Sequence, residues 1–189
     1  PLEAIREIVP AARVEYDSGE DVASAVKLAS ASSVAIVFVH QYGHESADVT
    51  DLSLPEEQDK LVAAVAAANP RTIVVLENNG PVTMPWLDEV NAVVAAWYPG
   101  IRGGEAIANV LFGKVNPSAK LTVTFPKSEA DLPRTEVPGP PPKHFDVHYT
   151  EGLKVGYKWF DAEGIAPLFP FGFGLSYTSF KIGNLHVTP

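Results

Sequence analysis

"SVAIVFVHQYGHESADVTDLSLPEEQDKLVAAVAAANPRTIVVLE", residues 33–77, opens on an unbroken apolar run at 34–39 and closes on a second at 72–76. Runs without polar alternation suit strands buried on both faces, as in a parallel sheet covered by helices. Between them lies an alanine-rich window. Pro55 suits a first helical turn, Glu56 and Glu57 suit the positive helix end, and Asn69-Pro70 stops it, so a helix is predicted over 55–68. Strand, crossover helix and strand make a βαβ unit, and that unit sets an α/β fold.

The same alternation extends outward. Further strands are expected at 13–16, 92–97 and 121–125, with helices at 18–30 and 104–112. The predicted architecture is a three-layer α/β/α sandwich with a mostly parallel sheet, followed by a Pro- and aromatic-rich extended tail. Its core domain spans 1–126. Pro133, Pro138, Gly139, Pro140, Pro141 and Pro142 mark 127–148 as an extended connection, because proline cannot complete a central strand. Residues 149–182 form an aromatic tail too apolar for a free linker, expected to pack on the core or on a neighbouring domain. Residues 183–189 read as the start of a following segment. No repeat of fixed period occurs.

Composition bounds the function. At 46% hydrophobic residues, a chain of 189 can build a real core. Only 14 Lys and Arg stand against 23 Asp and Glu, a net charge of −9, which disfavours nucleic acid and anionic membrane as partners. No apolar run approaches the roughly 20 residues of a membrane-spanning helix. The absence of cysteine excludes disulfides, thiolate catalysis and cysteine-ligated zinc. Pro1 in place of Met is expected of a chain that is processed or part of something longer.

Ligands of parallel α/β sheets sit at the carboxyl ends of the strands, and the loop after Val39 lies at such an end. It carries His40, Gln41, Tyr42, His44, Glu45 and Asp48. Glu45 is the most suggestive, since a partly desolvated carboxyl can donate and then accept a proton. His40, His44 and Asp48 are rivals, and the residues alone leave open that all four are solvated loop side chains. His40 and His44 with Glu45 and Asp48 also resemble a metal cluster, but Gly43 works against the helix that would align the two imidazoles. No cofactor is expected. The turn at 98–104 places glycines before a helix, where anions can bind, yet it lacks dinucleotide and P-loop signatures, so close packing is the better use of Gly100, Gly103 and Gly104. "ENNGPVTMPW", residues 77–86, is expected to line the same sheet end, and "FGFG", residues 171–174, to pack or to stack on a sugar. Serines 46, 53 and 118 lack a nucleophile-elbow setting.

Longer motifs in order add a resemblance. "ESADVTDLSLPEEQDKLVAAVAAANPRTIVVL", "GPVTMPWLDEVNAVVAAWYPGIRGGEAIANVLFGKVNPSAKLTVTFP", "YTEGLKVGYKWF" and "PLFPFGFGLSYTSF" together resemble the second domain of glycoside hydrolase family three, over about 34–180. That resemblance implies the acid/base-supplying domain of a retaining exo-β-glycosidase acting on terminal β-D-glucosides or β-xylosides. It implies that an N-terminal barrel domain of the same enzyme supplies an aspartate nucleophile. Glu45 falls at the general acid/base position, a few residues before Leu52-Ser53-Leu54-Pro55, with Gln41 and Tyr42 as substrate-binding neighbours. Ser46 and Val49 stand where the family motif has Gly and Arg, and Phe173 where His is common. A barrel of roughly 250 residues does not fit in this length, so the chain alone is expected to be inactive. A secreted or periplasmic setting is what the resemblance suggests. A non-catalytic sugar-binding or structural module is the alternative, and a nucleotide-binding domain a third.

Overall fold

The computed structural model describes residues 1–45, 49, 51–134, 146 and 148–188. Its elements are helices α1 (Leu2–Ile8), α2 (Val22–Ser30), α3 (Gln58–Ala68), α4 (Gly103–Leu111) and α5 (Tyr157–Glu163), and strands β1 (Ala35–His40), β2 (Thr72–Glu77) and β3 (Ala92–Ala95). The strands form one parallel sheet in the order β1-β2-β3, with Ala35 opposite Thr72 and Ile73 opposite Ala92. An α/β architecture with a parallel sheet is therefore what the apolar runs build.

Val74, Val75 and Leu76 of β2 are all fully buried. Successive strand residues point to opposite faces, so both faces of the central strand are covered. On one face Val37, Val39, Val74 and Leu76 share a core with Ala25 and Ala29 of α2 and Val62 and Val65 of α3. α2 and α3 pack together there, while α1 and α4 form a second helical pair. Buried Asn69 joins the N-terminal side of the sheet to α2, its Nδ2 donating to the Ala29 and Ser32 carbonyls at 2.9 Å each. Its backbone carbonyl accepts the Thr72 hydroxyl at 2.7 Å, so a polar residue in the core is fully used.

Two expected strands do not form. Residues 13–16 pair with nothing in the sheet: Arg13, Glu15 and Tyr16 are exposed, and Val14 alone offers too little apolar surface to bury. Residues 121–125 do not extend the parallel sheet. Their backbone turns to the tail instead, with a single antiparallel bridge between Phe125 and Phe169. The Leu121 and Gly172 amides complete this contact by donating to Phe173 and Leu121 carbonyls, each at 2.8 Å. The helix expected from Pro55 starts at Gln58, because Glu56 and Glu57 both adopt left-handed backbone, φ 57° and 62°. α1 and α5 were not expected from the pattern. Most of the proline-rich connection lies outside the described residues.

Phe125 is the hinge of this packing, 1% exposed and T-stacked on both Trp97 and Phe169. Phe125→Ala is expected to cost about 3–5 kcal/mol, the usual loss for a buried aromatic. Thermal unfolding of the intact protein checks this; an unchanged midpoint would show that the tail and core are not joined through this ring.

Candidate functional site

The C-terminal ends of all three strands meet at one edge. A cleft of about 470 Å³ lies there, lined by Gly43, His44 and Glu45 after β1, Asn78 and Asn79 after β2, and Trp97 and Tyr98 after β3. An adjoining cleft of about 320 Å³ shares Tyr98 and is lined by His40, Gln41, Tyr42, Glu77, Pro99 and Gly100. Each strand thus contributes to one concave site, as a parallel sheet requires.

β1 is an edge strand, so the outward backbone groups of its last residue have no strand partner. Gln58, on the first turn of α3, takes that place: its Oε1 accepts the His40 N–H at 2.8 Å and its Nε2 donates to the His40 carbonyl at 2.9 Å. The inward side continues the ladder, with the Gln41 N–H donating to the Glu77 carbonyl at 3.1 Å. Beyond it, the Tyr98 hydroxyl accepts the Gly43 N–H at 2.7 Å and lies 2.9 Å from the Gln41 carbonyl. Asn79 lies against Gly43: a Cβ there would sit 1.8 Å from Asn79 Nδ2, so any larger residue would have to turn the Asn79 side chain away. The far end of the loop is fixed too. Leu54 is buried in the core, and the Leu52 N–H donates to Glu129 Oε1 at 2.5 Å.

Glu45 faces the larger cleft, exposed, and its carboxyl has no hydrogen-bond partner among the described residues. His44 turns its Nδ1 to the Glu45 carbonyl at 2.6 Å and its ring edge to Tyr42. Gln41 is buried, with its side-chain Oε1 unpaired among the described residues, and Tyr42 is 75% exposed; both line the smaller cleft. His40 shares that smaller cleft rather than joining His44, and Asp48 lies outside the described residues. Close packing holds for Gly103 and Gly104 in the first turn of α4, where a Cβ would come 2.5 Å from Pro99 Cγ and 2.7 Å from the Pro1 nitrogen, whereas Gly100 has open space around it and is needed for its left-handed φ of 74°. Glu105 in the first turn of α4 opposes an anion there, and its carboxylate pairs with Arg102 and raises that guanidinium's pKa. Phe171 of the tail stacks on Tyr157.

Sequence reasoning placed the Asn78 turn at this edge but missed Trp97 and Tyr98. Trp97 adopts φ 54°, a left-handed conformation rare for a bulky residue and often kept at functional sites. No local pattern signals it. The only signal lay in the position of both aromatics at a predicted strand end, Trp97 as its last residue and Tyr98 just past it.

A sequence profile of the glycosyl hydrolase family 3 C-terminal domain matches residues 1–177. The thermostable beta-glucosidase B of Acetivibrio thermocellus is 45% identical over 181 residues, covering 93% of this chain and 24% of its own length. Among solved structures, a β-glucosidase from Streptomyces venezuelae in complex with D-glucose is 47% identical, with TM-score 0.74 over 85% of this chain and 21% of its own. A glycoside hydrolase family 3 β-glucosidase from Neurospora crassa superposes with TM-score 0.90 at 32% identity, over 96% of this chain and 24% of its own. The chain therefore spans about a quarter of the curated relative's length.

Replacing Gln58 tests how the loop is held. Gln58→Ala is expected to cost about 1–2 kcal/mol and to speed hydrogen exchange at the His40 amide while the Gln41 amide stays protected. Equal exchange at His40 in both proteins would show that the edge is held by something else.

Proposed function

Because the chain belongs to the glycosyl hydrolase family 3 C-terminal domain family, we propose that it supplies the acid/base carboxyl, Glu45, of a retaining β-glucosidase. The observation that carries this reading is the placement of Glu45 in the cleft where all three strand ends meet. The relatives' names and the glucose held by the Streptomyces venezuelae structure support terminal β-D-glucosides as substrates.

Glu45 enters the reaction protonated. It gives its proton to the glycosidic oxygen as the bond from that oxygen to the anomeric carbon breaks, while a carboxylate bonds to that carbon from the other face. Glu45, now a carboxylate, takes a proton from water. The water oxygen bonds to the anomeric carbon, the first carboxylate leaves, and the sugar is released with both groups restored.

A retaining reaction needs two carboxyls about 5 Å apart. Glu45 is the one carboxyl among the described residues lining its cleft. The nucleophile of this reading is the barrel aspartate that the family resemblance implies, outside this chain, and the chain alone is expected to turn over no substrate. Of the two neighbours expected to meet substrate, exposed Tyr42 is the better placed, since its ring offers a stacking face while Gln41 is packed in.

The test uses the intact protein and an aryl β-glucoside with a good leaving group. Glu45→Ala should lower turnover by about 10²–10⁴-fold. Added azide should restore it and yield β-glucosyl azide, because azide needs no general base. Wild-type rates in Glu45→Ala, on poor leaving groups as well, would sink the assignment and favour a non-catalytic module.

A further inference from the structure

We propose that Tyr98 is the positioning residue for Glu45, its hydroxyl fixing the backbone from which the carboxyl reaches the glycosidic oxygen; this rests on the acid/base reading of Glu45. A phenol has one proton to give and lone pairs to accept with. Here every hydrogen bond of the hydroxyl among the described residues goes to one stretch of backbone. The Gly43 N–H donates to the hydroxyl at 2.7 Å, and the hydroxyl proton has the Gln41 carbonyl at 2.9 Å and the Gly43 carbonyl at 3.2 Å as acceptors. The bond to Gln41 joins residues 57 positions apart in the chain.

Three features separate this contact from ordinary packing. Tyr98 is 53% exposed, so its hydroxyl does not anchor a core ring. Glu45 has no side-chain partner among the described residues, so among them its carboxyl is placed through its backbone. Gly43 is the last residue before His44 and Glu45 whose backbone a side chain from another element grips, and Asn79 closes the space on its other side. Tyr98 and Glu45 also line the same cleft, so the grip and the reacting group face one ligand. Proton transfer needs the two heavy atoms about 2.6–3.2 Å apart, and a misplacement of about 1 Å costs up to about 10²-fold. A single lost grip should cost less than that.

The experiment compares wild type, Tyr98→Phe and Glu45→Gln in the intact protein on phenyl and 2,4-dinitrophenyl β-glucosides. kcat/KM reports the first bond-breaking step. Phenolate needs the acid's proton to leave; dinitrophenolate does not. Tyr98→Phe is expected to lose about tenfold in kcat/KM on the phenyl glucoside and less than about twofold on the dinitrophenyl one. Hydrogen exchange at the Gly43 amide should speed in the same variant. No loss, or equal loss on both substrates as misfolding would give, overturns the positioning role. Selective loss in Glu45→Gln without it in Tyr98→Phe overturns the proposal alone. No selective loss in Glu45→Gln overturns the acid/base reading and the proposal with it.

Discussion

Burial of β2 on both faces is the constraint from which the rest follows. Val74, Val75 and Leu76 lose all contact with water, and at about 25 cal/mol per Å² of apolar surface such strands dominate the local stabilisation. A strand covered on both faces must have neighbours on both edges as well, since its backbone groups would otherwise be unpaired in an apolar setting. β1 and β3 provide them, in parallel. Parallel pairing aligns all three strand ends, and the chain leaves the sheet three times at one edge.

That edge is where backbone pairing runs out. Side chains from elsewhere replace the missing ladder: Gln58 for His40, and Tyr98 for Gln41 and Gly43. The result is that the main chain at His40, Gln41 and Gly43 is held while the side chains of Tyr42, His44 and Glu45 are exposed. Such an arrangement suits a site, because the groups that react are not the groups that hold the loop.

Much of this was legible in the sequence because burial on both faces leaves a plain mark. The apolar runs at 34–39 and 72–76 fall within one residue of β1 and β2. Glu45 was singled out by its place in the loop at a strand end, and the acid/base role proposed for it comes from a motif in fixed order. What was not legible depends on distant contacts. Alternation at 13–16 looks like a strand, but Val14 alone offers too little apolar surface to bury against the sheet. Residues 121–125 also alternate, and their partner proved to be the aromatic tail. α1 and α5, each seven residues, are two turns long and too short for a helical period to emerge. Tyr98 looked like part of a glycine-rich turn, since nothing near it in the chain reveals that its hydroxyl binds Gly43.

The most direct measurement is a crystal structure of the intact protein with glucose bound. The Glu45 carboxyl should lie about 2.6–3.2 Å from the anomeric oxygen of the sugar, with a second carboxylate from outside this chain on the opposite face of the ring. Glucose bound with Asp48 or a carboxyl from elsewhere at that oxygen, and Glu45 turned to solvent, would contradict the role assigned to this loop.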